Sequence, residues 1–84
     1  MKKTIKIKEK LNDVIIELVD SSKKYVTADL LLRNNHIEVS GCIEIKRSIY
    51  DCLELLREHH VDVWVKINIK LVDDVYRITS VKLV

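Results

Sequence analysis

The chain has 84 residues, 48% hydrophobic and 33% charged, with a formal net charge of +2. A chain this short buries roughly three fifths of its unfolded surface, so one core and a single domain over residues 1–84 are expected. The apolar content excludes a disordered tail, and no apolar run approaches the roughly 18 residues of a membrane span. The net charge is too small for long-range attraction alone to draw the chain to nucleic acid, which disfavours a nucleic-acid partner.

With one Gly and no Pro, boundaries must come from periodicity and polar clusters. After Met1-Lys2-Lys3, the segment to Lys8 alternates, with Ile5 and Ile7 on one side and Thr4, Lys6 and Lys8 on the other, which predicts a half-buried strand. The same alternation offers no apolar core for a signal peptide, so a cytoplasmic location is the expectation. Leu11, Val14, Ile15, Leu18 and Val19 then recur at helical spacing opposite Asp13, Glu17, Asp20 and Lys24, which predicts a helix. The β-branched Val14, Ile15, Ile16 and Val19 pull the other way, toward a strand.

Tyr25 to Arg33 alternates weakly, Asn34-Asn35 carries a two-residue hairpin signal, and His36 to Ile45 returns with Ile37, Val39, Ile43 and Ile45 on one side. Ser48-Ile49-Tyr50-Asp51 has the form of a capping box with Ser48 as N-cap, and Ile49, Cys52, Leu53 and Leu56 give the apolar stripe of a helix running to His59 or His60. From Val61 to Leu71, valine, isoleucine and leucine alternate with Asp62, Trp64, Lys66, Asn68 and Lys70, which predicts a strand. The tail from Asp73 fits either a helix or a strand.

The element order is thus β, α, β, β, α, β and an open last element. It predicts an α+β domain: one antiparallel sheet with two or three helices on one face, the other face wet. The alternative is an OB-like β-barrel with one helix, in which residues 14 to 19 would be a strand.

Short matches in this order resemble the HPr family, the histidine-containing phosphocarrier of the bacterial sugar phosphotransferase system, over roughly residues 3 to 68. They are Thr4-Ile5-Lys6-Ile7, Ser22-Lys23-Lys24-Tyr25, Ala28-Asp29-Leu30 and Lys46-Arg47-Ser48-Ile49. The resemblance implies an open-faced sandwich with HPr-like topology. Where the family carries its phosphorylated histidine, this chain reads Lys10-Leu11-Asn12-Asp13-Val14, so carrier chemistry is expected to be absent. The resemblance implies a non-catalytic regulatory or adaptor domain that docks a protein partner beside the second helix, at Arg47, Ser48, Ile49 and Cys52, with Ser48 as an optional phosphorylation site.

Other residue types point to no reaction. Cys42 and Cys52 lie outside any C-x-x-C pattern and are expected to be small, reduced side chains. Adjacent His59 and His60 point apart and have no third ligand at a metal spacing, and His36 reads as a solvated turn residue. No nucleophile stands beside a general base, so no enzyme activity, cofactor or metal is expected. Trp64 and Lys66 are the exposed candidates. A large aromatic among Lys66, Lys70, Lys6 and Lys8 can anchor a protein partner, including a second copy of the chain, or can stack the bases of a single-stranded nucleic acid. If the first and second strands flanked the Trp64 strand, Tyr25, Leu31 and Arg33 would share this face.

Overall fold

The computed structural model describes residues 4–33 and 38–84. Their strands are β1 (Thr4–Lys10), β2 (Val14–Ser21), β3 (Tyr25–Arg33), β4 (Glu38–Lys46), β5 (Trp64–Val72) and β6 (Val75–Leu83), with one helix, α1 (Arg47–Glu58). A single 3-10 turn, Leu11–Asp13, joins β1 to β2. The strands form one six-stranded mixed sheet in the order β1-β5-β6-β4-β3-β2. All neighbours are antiparallel except β4 and β6, which run parallel and meet at Ser40 and Arg77.

This overturns the α+β sandwich, because the helix expected over residues 11 to 24 is absent. Residues 14 to 21 form β2, the assignment on which the barrel alternative turned. The helical spacing came from two local irregularities. The 3-10 turn sets Leu11 and Val14 three apart on the buried side. Farther along, β2 shifts register between Leu18 and Asp20, so Val19 is an extra residue that breaks the alternation. Pairing with β3 and the β-branched side chains then decide for strand. The tail is also a strand, with a bulge at Thr79 where the register with β5 shifts. That bulge places the buried Ile78 and Val81 three apart.

The order of strands forces the sheet to curl. Laid flat, the first and sixth strands would stand about 24 Å apart, yet β1 and β2 are consecutive in the chain. The link from Lys10 to Val14 spans at most about 14 Å. The sheet therefore bends round until its edges approach, as in a small barrel, and β1 and β2 act as one long kinked strand pairing with β5 at one end and β3 at the other. The concave side holds the core: Val26, Ala28, Leu30 and Leu32 from β3, Ile43 and Ile45 from β4, Val65, Ile67 and Ile69 from β5, and Ile78 and Val81 from β6, with no buried polar residue among those described. The helix closes this side with Leu53, fully buried, while Ile49, Tyr50 and Leu56 pack against the core.

The only glycine of the chain, Gly41, lies in β4 where that strand runs beside β6. A Cβ at Gly41 would overlap the carbonyl oxygen of Ile78 and lie 2.9 Å from its nitrogen, so β4 and β6 approach more closely than any side chain at residue 41 allows.

The turns explain other local choices. Asp73 and Asp74 both have positive φ, 50° and 63°, and join Val72 to Val75 as a two-residue type I′ hairpin turn. Helix α1 ends in a Schellman motif, with His60 at φ 56°, its N–H donating to the Arg57 carbonyl and the Val61 N–H donating to the Leu56 carbonyl at 2.8 Å. The expected N-cap is corrected: Lys46 holds that position, without a side-chain cap, and Ser48 lies inside the first turn. The hairpin signal at Asn34-Asn35, together with His36 and Ile37, lies outside the described residues, although β3 and β4 on either side pair from Arg33 and Glu38 inward.

Candidate nucleic-acid interface

The convex side of β1, β5 and β6 gathers most of the cations of these strands. Partners across a ladder share a face. The registers put Lys10 opposite Trp64, Lys8 opposite Lys66, Lys6 opposite Asn68 and Thr4 opposite Lys70. On the other flank Lys66 faces Lys82, Asn68 faces Ser80 and Lys70 faces Arg77. The surface is thus a small grid. Lys8, Lys66 and Lys82 stand three abreast, Lys6, Asn68 and Ser80 form the next row, and Lys70 with Arg77 the one beyond. Among the described residues, no Asp or Glu takes a position on this side of the three strands; Glu9 faces the other way, beside Val65.

Trp64 stands at the end of the grid and is 50% exposed. The neighbouring backbone fixes its place. The Leu11 N–H donates to the Val63 carbonyl at 2.8 Å, and the Asn12 N–H donates to Asp62 Oδ1 at 3.2 Å, so the 3-10 turn holds the start of β5 against the end of β1. That brings Lys10 Nζ to 4.8 Å from the centroid of the indole, a cation–π contact that steadies the ring. The last strand runs alongside without covering it.

The like charges on this face work against folding. Lysine opposite lysine or arginine is destabilising by a few tenths to about 1 kcal/mol per pair. Lysines on an edge strand discourage sheet-to-sheet aggregation, which accounts for β1. It does not account for Lys66 and Lys70, since β5 lies between β1 and β6.

The convex side of β2, β3 and β4 has the opposite character. Glu17 faces Asp29, Asp29 faces Cys42, and Thr27 faces Glu44. An open groove of about 520 Å³ runs here, lined by Ile15, Glu17, Asp29, Leu31, Ser40 and Cys42 among others, with Arg77 at its border with the basic side. The Cys42 thiol is held above its ordinary pKa, first by a hydrogen bond with Asp29, then by desolvation and the Asp29 charge, so it is a poor nucleophile at neutral pH. Both cysteines are free. No three His, Cys, Asp or Glu side chains come together as a metal site requires among the described residues, and no helix there is long and apolar enough to cross a membrane.

The residues singled out in the sequence fall into two groups. Trp64 and Lys66 share the basic face with Lys6, Lys8 and Lys70. Tyr25, Leu31 and Arg33 do not join them, because β3 is three strands away from β5. Arg77, Lys82 and Lys10 take their place; they were left aside in the sequence because the tail had no assigned structure and the first strand was read only as far as Lys8. Arg47, Ser48, Ile49 and Cys52 lie on α1, on the concave side, away from Trp64. Arg47 is occupied structurally: its Nη1 donates to the Ser22 carbonyl at 2.9 Å, its N–H donates to the Lys24 carbonyl at 2.9 Å, and its Nε lies 3.9 Å from Asp51. Ile49 is half-buried against the core, while Ser48 is exposed. No family model, curated protein or solved structure matches this chain.

Proposed function

We propose that the protein is a small, non-catalytic module that binds single-stranded nucleic acid on the convex face of β1, β5 and β6. One observation carries this reading: a half-exposed tryptophan stands in the same face as cations that oppose one another across two ladders, with no acid among them. A polyanion relieves the repulsion of those cations and releases its own counterions. The indole offers a base a stacking surface, which a paired and stacked duplex cannot use. The modest net charge conceals this arrangement, because the acids Glu17, Asp29 and Glu44 sit on the convex side of β2, β3 and β4, where they repel a phosphate backbone and confine it to one face.

The adaptor reading has less behind it. It rested on an open-faced sandwich with two or three helices, and the docking residues it implied are partly engaged in holding α1 to the β2–β3 turn.

Anisotropy titration of fluorescein-labelled oligonucleotides tests the proposal, together with the emission of Trp64, the only tryptophan. Binding that quenches the indole and weakens steeply as salt rises is expected, with single strands preferred over duplex. Absence of binding at low salt, or binding that leaves the emission unchanged, would overturn it.

A further inference from the structure

The uncharged row inside the basic grid has a different chemistry from its neighbours. Asn68 lies in the central strand of the three, between Lys6 and Ser80, with the lysine row on one side and Lys70 and Arg77 on the other. Its backbone carbonyl accepts from Thr79 Oγ1 at 3.3 Å, but its side-chain amide has no hydrogen-bond partner among the described residues. Asn68 is half-buried and borders a shallow depression of about 180 Å³, whose other walls are Lys6, Ile7, Lys8 and Lys66. An amide with a free donor and a free acceptor and cations on the rim suit the edge of a nucleobase whose phosphates rest on the rim. A phosphate alone would have no use for the acceptor.

Resting on the nucleic-acid reading above, we propose that this depression is a base subsite in which Asn68 reads the hydrogen-bonding edge of one base, while Lys8, Lys66 and Lys82 hold the adjoining phosphates. Trp64 and Asn68 are four residues apart in one strand, hence about 13 Å. Stacked neighbours are only about 3.4 Å apart, so a base on the indole and a base in the depression belong to a splayed single strand with intervening nucleotide between them. The phosphate contacts give affinity and salt dependence without sequence information, and the amide gives base preference.

The experiment compares oligo-dA, oligo-dC and oligo-dT of about twelve nucleotides against the wild type, Asn68→Ala and Asn68→Thr, the last retaining strand propensity. The wild type should prefer one base over the poorest by about fivefold or more, and either substitution should shrink that spread to about twofold or less, with the slope of log K against log salt unchanged. Lys66→Ala should do the reverse, lowering affinity for every base and flattening the slope. If the wild type binds all bases alike, or the variants keep its preference, the base subsite is wrong while salt-dependent binding leaves the nucleic-acid reading standing. If no oligonucleotide binds in a salt-dependent way, both fall.

Discussion

At the scale of single residues, backbone conformation makes the sharpest demands. His60, Asp73 and Asp74 occupy the left-handed region, where a side chain with a Cβ is strained by about 1 kcal/mol or more. His60→Gly and Asp74→Gly should each stabilise the protein by about 1 kcal/mol in urea denaturation, part of the relief being offset by the freedom glycine has when unfolded. Gly41→Ala should go the other way. Its methyl group would meet the backbone of Ile78, which cannot rotate aside as a side chain would, so a loss of about 3 kcal/mol is expected, at the upper end for overpacking. Ser48→Ala separates a cap from an ordinary helical position. A capping serine costs about 1 kcal/mol when replaced, whereas Ser48, inside the first turn, should cost no more than about 0.5 kcal/mol.

At the scale of elements, β5 sets stability and binding against each other. Lys66 faces Lys8 on one side and Lys82 on the other, so Lys66→Glu replaces two repulsive cross-strand pairs with two attractive ones. The variant should gain about 0.5–1 kcal/mol at low ionic strength, and the gain should fade in high salt as screening shortens the reach of the charges. Oligonucleotide affinity should fall at the same time. A lysine kept only for solubility would show the first effect without the second. At the other end of the strand, Trp64→Ala should cost no more than about 2 kcal/mol, less than a core aromatic deletion, because half of the residue already faces water. It should weaken oligonucleotide binding by about 1–3 kcal/mol through the lost stacking.

For the whole molecule, the separation of charge between two convex surfaces matters more than its sum. A ligand that neutralises about four lysines on one side should give a slope near −3 in log K against log salt, from the −0.7 per phosphate of single strands. Mutating Glu17 or Asp29 to the corresponding amide should leave that slope in place, since neither stands on the basic face, and should relieve their mutual repulsion across β2 and β3. A change of slope in these variants, measured by anisotropy at several salt concentrations, would place the ligand on the wrong side of the sheet.

The sequence by itself determined the segments whose pattern is unbroken. β1 and β5 alternate without a bulge in their mutual pairing, so the outward placing of Lys6, Lys8, Trp64, Lys66 and Lys70 was legible from spacing alone. The stripe of Ile49, Leu53 and Leu56 likewise marked α1 to within two residues at either end. Only the tertiary structure decided that residues 14 to 21 are a strand and which strands flank β5. A 3-10 turn and two bulges shift the phase of the apolar pattern by one residue each, and a period read locally cannot distinguish such a shift from a helix. Strand neighbours are chosen by hydrogen bonds between segments far apart in the chain and by the curl that lets β1 continue into β2 at the opposite end of the sheet order. That choice exchanged Tyr25, Leu31 and Arg33 for Arg77 and Lys82 on the face that carries Trp64, and with them the chemistry of the face.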